Sequence, residues 1–104
     1  MDVSAWMPFW AGDYLKDTID LSRSEHGTYL LTICAYWSSG ESLPNSTFRR
    51  VCGKDFERVS QFYSLCDGRW YHKRIDEELA KARANRVAAK EKASMAAKAR
   101  WGKT

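Results

Sequence analysis

At 104 residues, of which 44% are apolar and 13% aromatic, the chain can fill one compact core but not two. The net charge is +4 and the excess lies at the carboxyl end: residues 1–76 carry nine Lys and Arg against ten Asp and Glu, whereas residues 77–104 carry eight against three. No apolar run approaches the roughly 20 residues that cross a bilayer, and no secretory signal opens the chain, so we expect a cytoplasmic protein with no membrane contact.

The amino-terminal segment is rich in aromatic residues and is interrupted by Pro8. A proline blocks a long helix here, because it lacks the amide proton and its ring clashes with the preceding turn. We therefore expect an extended lead-in that packs Trp6, Phe9 and Trp10, followed by a short helix at about residues 13–18.

The clearest helix signal in the sequence follows at Ser22. Glu25 stands three residues later, which is the spacing of a capping box. Apolar or half-apolar residues then recur on one helical face: His26, Tyr29, Leu30, Ile33, Cys34 and Trp37. We predict a core helix over about residues 23–38 that buries this face and ends at Gly40, where glycine readily adopts a left-handed cap.

Two short helices are predicted next, after an extended bridge at residues 41–44. Asn45 or Ser46 can cap the first, which ends at Gly53, and Asp55 can cap the second. The apolar residues that the second helix would bury are Phe56, Val59, Phe62 and Tyr63. Two short helices joined by a glycine-containing turn have the shape of a helix-turn-helix.

A β-hairpin is predicted after these helices. Asp67 and Gly68 form a favoured two-residue turn, and the flanking segments 63–66 and 69–75 are rich in strand-forming residues. The order of core helix, bridge, two short helices and hairpin is that of a winged helix-turn-helix, with the hairpin as its wing. The predicted fold class is therefore α+β, mainly α.

The last segment is predicted to be one long helix that Asp76 caps. It contains nine alanines and few turn-forming residues. We expect Leu79 and Ala82 to dock its first two turns and the rest to be exposed, because its large apolar residues do not form a stripe. The predicted organisation is a winged-helix-like domain over residues 1–80 and a basic helical tail over residues 81–104.

Several motifs in the first 80 residues resemble the YdaU-like family of prophage proteins. In chain order they are Asp13-Tyr14-Leu15-x-Asp17-Thr18, Ser24-Glu25-His26-Gly27-x-Tyr29-Leu30-Leu31, Ala35-Tyr36-Trp37, Leu43-Pro44 and Asp67-Gly68-Arg69-Trp70-x-His72-Lys73-Arg74-Ile75. The segment Ala97-Lys98-Ala99-Arg100-Trp101-Gly102 is similar to the basic tail that often follows the domain. Members of this largely uncharacterised family tend to be encoded in phage replication regions, so the resemblance implies a role in starting replication or in recruiting a helicase.

Residues of the two short helices and of the hairpin are candidates for DNA contact. In a winged helix, the second short helix enters the major groove while basic residues of the wing hold phosphates. The candidates are Arg49, Arg50, Lys54, Arg58, Gln61, Arg69, Lys73 and Arg74. Asp55 and Glu57 lie beside Arg58 and would repel phosphate, so docking on a protein is an alternative use of the same helices.

The tail is the stronger electrostatic candidate. After Leu79 it carries one acidic residue, Glu91, against eight cations: Lys81, Arg83, Arg86, Lys90, Lys92, Lys98, Arg100 and Lys103. These side chains can neutralise phosphates, and Trp101 can stack on a base. The alternative is a solvated helix whose charge only keeps it soluble.

The sequence contains no pattern typical of catalysis or metal binding. His26 and His72 have no second histidine or carboxylate at ligand spacing, and no Gly-rich phosphate loop or nucleophile elbow occurs. An odd number of cysteines suits a reducing compartment, and we expect all three to be buried: Cys34, Cys52 and Cys66. We expect neither enzymatic activity nor a cofactor.

The sequence thus predicts a phage-derived DNA-binding accessory protein that acts in replication initiation, with DNA as its partner and a replication protein as a second candidate partner. The rival hypothesis is a protein-interaction module. Such a module would modulate a replication, transcription or host-defence protein without contacting DNA.

Overall fold

The computed structural model describes residues 7–101, and side chains within residues 7–92. This part of the chain contains five α-helices and three short strands: α1 (Ala11–Thr18), α2 (Arg23–Ser39), β1 (Leu43–Pro44), α3 (Asn45–Cys52), α4 (Phe56–Val59), β2 (Ser64–Cys66), β3 (Arg69–Tyr71) and α5 (Lys73–Trp101). The strands form one antiparallel sheet in the order β1-β3-β2. The prediction of a mainly helical protein with a hairpin and a long C-terminal helix is confirmed, whereas the predicted packing of Trp6 lies outside the described residues.

The capping box predicted at the start of α2 is confirmed. The hydroxyl of Ser22 accepts a hydrogen bond from the amide of Glu25 at 3.1 Å, and the Glu25 carboxylate accepts one from the amide of Ser22 at 2.8 Å. At the other end, Gly40 has a φ of 75°, and its amide donates to the carbonyls of Tyr36 and Trp37. The helix is therefore closed at both ends, within one residue of the predicted boundaries.

The buried face of α2 differs from the predicted one. Its members are Tyr29, Thr32, Ile33, Tyr36 and Trp37. Leu30 and Cys34, which we predicted to be inside, are exposed. Thr32 is buried at no cost in hydrogen bonding, because its hydroxyl donates to the carbonyl of Tyr29 at 2.7 Å and accepts from the hydroxyl of Tyr63 at 2.8 Å.

The three cysteines do not share one environment. Cys52 is buried, and its burial raises the pKa of the thiol to about 11. Cys34 and Cys66 are exposed, so the prediction that all three are buried is wrong for these two. Cys34 lies on the outer side of α2 and Cys66 lies in the edge strand β2.

Aromatic rings form the centre of the core, between α2, α3 and the sheet. The ring of Phe48 stacks on Trp70 with 4.7 Å between centroids and meets Tyr63 edge-on at 4.8 Å. Ile75 and Leu79, in the first two turns of α5, are fully buried against the same core. The predicted docking of this helix is therefore confirmed, and Ala82 is partly buried as well.

The hairpin turn has the predicted geometry. Asp67 and Gly68 have φ values of 50° and 76°, the two positive values that a type I′ turn requires. The sheet has one strand more than predicted, because the extended bridge after α2 pairs with β3, with Leu43 opposite Trp70. This third strand fixes the hairpin to the end of the core helix.

The second strand of the hairpin is shorter than predicted. β3 ends at Tyr71, and α5 begins at Lys73 instead of at Asp76. His72 caps the helix: its Nδ1 accepts a hydrogen bond from the amide of Ile75 at 3.2 Å, and its carbonyl accepts one from the amide of Asp76 at 2.9 Å. Histidine is not among the residues that usually cap a helix, which is why the local sequence pointed to Asp76 instead.

Replacement of Ser22 by alanine is expected to lower the free energy of unfolding by about 1 kcal/mol, because it removes the acceptor of the capping box. Urea unfolding followed by circular dichroism measures this change. Ser38→Ala, at an exposed position late in the same helix, is the control and should change stability by less than about 0.5 kcal/mol. Equal stabilities of Ser22→Ala and the wild type would show that the capping box does not stabilise the fold.

Candidate nucleic-acid interface

The helix-turn-helix region is less regular than predicted. α4 is a single turn of four residues, with 3-10 turns before it at Gly53–Asp55 and after it at Ser60–Phe62. Asp55 does not cap α4, contrary to the prediction. Its carboxylate instead accepts hydrogen bonds from the hydroxyls of Thr28 at 2.7 Å and Ser24 at 2.8 Å, and these bonds lower its pKa. Asp55 therefore ties the turn to α2.

Two of the predicted contact residues in this region are engaged within the fold. The ammonium group of Lys54 donates to the hydroxyl of Ser24 at 2.8 Å and lies 3.4 Å from the Asp55 carboxylate. The guanidinium carbon of Arg49 lies 4.1 Å from the centroid of the Phe56 ring. Part of the charge of both side chains is thus already compensated inside the protein.

Three further candidates lie on these helices: Arg50, Arg58 and Gln61. The two arginines have no ion pair with a described residue, and Gln61 is uncharged. Arg50 and Gln61 are exposed, whereas Arg58 is half-buried. These residues are available to a ligand, but they come from different turns and provide only two positive charges.

Arg69, predicted to hold phosphate from the wing, fastens β1 to β3 instead. Its Nε donates to the hydroxyl of Ser42 at 2.7 Å, and its Nη2 donates to the Ser42 carbonyl and lies 3.4 Å from the Glu41 carboxylate. The side chain is about one-third exposed. Arg69 is therefore a structural residue of the sheet.

Lys73 and Arg74 lie in the first turn of α5, so their predicted placement on the wing is wrong. Arg74 bonds Asp13 of α1 at 3.1 Å, lies 3.4 Å from Glu78, and covers the ring of Trp10 at 5.1 Å. It joins α1 to α5. Lys73 is exposed and has no ion pair with a described residue.

The cations of the tail fall into an engaged and a free group. Lys81 lies 3.6 Å from Glu78, and Arg83 donates to the carbonyl of Gly40 at the end of α2. The cations that follow are exposed and have no ion pair with a described residue: Arg86, Lys90 and Lys92. The side chains of the remaining tail candidates lie outside the described residues, namely Lys98, Arg100, Trp101 and Lys103.

An open groove of about 690 Å³ lies between α1, α2 and the start of α5. Aromatic rings line its floor: Trp10, Tyr29, Phe62 and His72. Its rim is balanced in charge, with three acids and three bases: Asp13, Asp17, Glu77, Lys16, Lys73 and Arg74. Sequence reasoning missed this groove, because its walls come from four separate segments and no local motif marks them.

The floor of the groove includes a buried histidine–tyrosine pair. Nε2 of His72 lies 2.7 Å from the hydroxyl of Tyr29. Because Nδ1 accepts the amide proton of Ile75, the ring proton sits on Nε2 and is donated to Tyr29. Burial lowers the pKa of His72 to about 4 and raises the pKa of Tyr29, so both groups are neutral at pH 7. Both ring nitrogens of His72 are thereby engaged in holding the fold.

A metal-holding cluster and a membrane-spanning helix are both absent from the described residues. No group of three His, Cys, Asp or Glu side chains in residues 7–92 is arranged to hold a metal ion. Within the same part of the chain, no helix is long and apolar enough to cross a membrane. The features that stand out are thus the free cations of α5 and the charge-balanced groove.

Comparison with known proteins identifies the family. Residues 5–80 match the model of a family described as a protein of unknown function, DUF1376. The chain belongs to this family. It is also 35% identical over 85 residues to the uncharacterized protein YdaU of Escherichia coli strain K12, a match that covers 75% of this chain and 30% of that protein. The resemblance to the YdaU-like family is therefore confirmed, and no solved structure shows significant similarity to the chain.

The buried His72 makes the stability of this DUF1376 domain depend on pH. Its pKa is about 4 in the folded protein against an ordinary 6.5, so the unfolded chain binds this proton more tightly. The stabilisation that neutral His72 gives the folded state is fully present above pH 6.5. The free energy of unfolding falls by on the order of 3 kcal/mol as the pH falls toward 4. Urea unfolding at pH values between 7 and 4 measures the slope.

His72→Asn is the matched variant for this measurement, because asparagine keeps an acceptor for the amide of Ile75 and has no titrating group. The variant is expected to show a flatter dependence of unfolding free energy on pH between 6.5 and 4. Identical slopes for the variant and the wild type would contradict the assignment.

Proposed function

We propose that the protein binds nucleic acid, and that the cations of α5 beyond Arg83 make the main contact with phosphates. The observation that carries this proposal is the contrast between two groups of cations. Six of the predicted contact residues before residue 86 are held by partners within the fold: Arg49, Lys54, Arg69, Arg74, Lys81 and Arg83. Arg86, Lys90 and Lys92 are exposed and have no ion pair with a described residue. When free cations on an exposed helix bind phosphates, the counterions condensed on the nucleic acid are released, and this release favours binding.

The body is proposed to be a winged helix-turn-helix domain. The proposal is supported by the order of the elements: a core helix, α2, is followed by a helix pair, α3 and α4, and by a hairpin, β2 and β3. The hairpin would be the wing, and β1, which precedes the helix pair, adds a third strand to it. In this arrangement Arg50, Arg58 and Gln61 are the body's own candidates for a DNA contact. They are few, and α4 is too short to fill a major groove, so the proposed contact is with the backbone and independent of base sequence.

We propose that the protein is a phage-derived accessory protein that binds nucleic acid in replication initiation. This role rests on the resemblance to the YdaU-like family. The chain spans 30% of the length of the relative it matches. The whole protein's partners in replication are therefore part of the proposal.

A protein-interaction module is the second candidate, and the groove favours it. An aromatic floor inside a charge-balanced rim is poorly suited to a polyanion and well suited to a peptide that carries an apolar anchor. Chromatography on DNA resin separates the two functions. A protein that binds phosphates elutes at a salt concentration above physiological, whereas elution below it would favour the interaction module.

Arg86→Gln with Lys90→Gln removes two free cations from one face of α5. We expect binding to a DNA duplex of 20 base pairs to weaken, and the slope of log K against log salt to flatten by about 1.8, since each phosphate contact contributes about 0.9. Fluorescence anisotropy at several salt concentrations measures both quantities.

The matched control removes the same charge elsewhere, by Lys16→Gln with Arg23→Gln. Both residues are exposed and have no ion pair with a described residue. This variant should keep the wild-type slope. Equal losses in the two variants would mean that net charge alone governs binding, and the proposed contact on α5 would be wrong.

A further inference from the structure

From Gly27 onward, the outward side of the core helix α2 carries no charge. The thirteen residues from Gly27 to Ser39 include no Asp, Glu, Lys or Arg, although this helix lies at the surface. Five of these residues point outward and are exposed, and we refer to them as the α2 outer face: Gly27, Leu30, Leu31, Cys34 and Ser38. A helix that is apolar on both sides is usually covered on both sides.

The described part of one chain covers only the inner side of this helix. The elements α3, α4, α5 and β1 contact α2, and the residues they bury are on the inner face. On the outer side, Leu31 is 60% and Leu30 is 39% exposed. The neighbouring helix α1 adds two more exposed aliphatic residues, Leu15 at 64% and Ile19 at 81%.

Gly27 is a second feature that the fold of one chain does not explain. It lies inside α2, where glycine costs about 0.5–1 kcal/mol of stability relative to alanine. A Cβ atom built at Gly27 would meet no atom of the described residues within 4 Å. The space beside Gly27 is therefore open, and another helix can approach the backbone closely at this point.

The spacing of the outer face is that of a helix–helix seam. Gly27, Leu31, Cys34 and Ser38 follow one another at intervals of four, three and four residues, which keeps them on one side of the helix. The seam is about 16 Å long at 1.5 Å per residue.

We infer that the α2 outer face packs against the same face of a second copy of this chain. Charge favours a second copy at this face over the exposed faces of α3 and α5. α3 carries Arg49 and Arg50, and α5 carries an excess of cations, so copies that met there would set like charges opposite each other. The α2 outer face sets no charges against each other, and a two-fold axis brings identical apolar residues together.

The size of the face determines how strong this contact is. A seam of about three turns with a few flanking leucines buries less than about 1,200 Å² in total, which is typical of weak and reversible complexes. Copies should therefore exchange between monomer and dimer, and covalent trapping is the suitable measurement. The inference does not depend on nucleic-acid binding, and its test is made without DNA.

The native cysteines provide the probes, because Cys34 lies in the seam while Cys66 is exposed on the distant edge strand and Cys52 is buried. A short bismaleimide is added to two variants of the full chain. The first carries Cys66→Ser and the second carries Cys34→Ser. We expect the first protein, which keeps Cys34, to form a covalent dimer at least about tenfold faster than the second. Equal rates would overturn the inference.

Gly27→Leu blocks the seam without touching the described fold, because the side chain enters open space and leucine favours helix. In the Cys66→Ser background we expect an unchanged or higher melting temperature and a loss of cross-linking of at least about tenfold. Ser46→Leu is the matched control, since Ser46 is exposed on α3, which packs on the inner side of α2. It should cross-link at the rate of the parent.

Leu31→Lys is a second test of the same contact. It places like charges opposite each other across the two-fold axis and leaves an already exposed position exposed. Folded Gly27→Leu and Leu31→Lys proteins that still cross-link through Cys34 at the parent rate would rule out the second copy as the occupant of this face.

Discussion

His72 connects β3, α5 and α2, and the direction of the long helix α5 depends on it. Its backbone ends β3 and its ring begins α5, while Nε2 donates to Tyr29 in the middle of α2. The amide of His72 in turn donates to the hydroxyl of Tyr36 at 3.3 Å, and that hydroxyl donates to Asp76 in the first turn of α5. No buried side-chain nitrogen or oxygen among the described residues lacks a hydrogen-bond partner. A network that is completely satisfied fixes one geometry, because each displaced member would leave a buried polar group unpaired.

This junction explains why the cations of α5 are divided into two groups. Ile75 and Leu79 pack into the core, and Arg83 bonds the carbonyl of Gly40, so the helix follows the end of α2 for its first three turns. After Arg83 the described side chains are all exposed. The cations of α5 thus fasten the helix where it is near the body, and they are exposed without a described ion-pair partner where it is not.

Local sequence was sufficient wherever the structure depends on a few neighbouring residues. The capping box at Ser22 and Glu25 and the Asp67-Gly68 turn were both predicted, because each is set by short-range geometry. The start of α5 and the role of Asp55 were not. His72 can cap a helix because its one ring proton is donated to Tyr29, which leaves Nδ1 as an acceptor, and Asp55 bonds hydroxyls about thirty residues away.

The sequence predicted where the cations lie but not which of them have partners within the fold. Charge asymmetry marked the tail as rich in cations, since counting Lys and Arg requires no structure. It could not show that Arg69 fastens the sheet or that Arg74 joins two helices, because their partners are 27 and 61 residues away in sequence. The groove and the α2 outer face were missed for the same reason: both depend on which side of a helix the rest of the chain covers.

Hydrogen–deuterium exchange along α5 in the free full-length chain tests most directly whether the junction holds the helix and releases its cations. We expect amide protection comparable to that of α2 from Ile75 to Arg83, and exchange at least about tenfold faster over residues 86–92. Fast exchange beginning at Ile75 would contradict the anchoring role of His72. Protection over residues 86–92 as strong as in the docked turns would contradict the exposed state of the free cations.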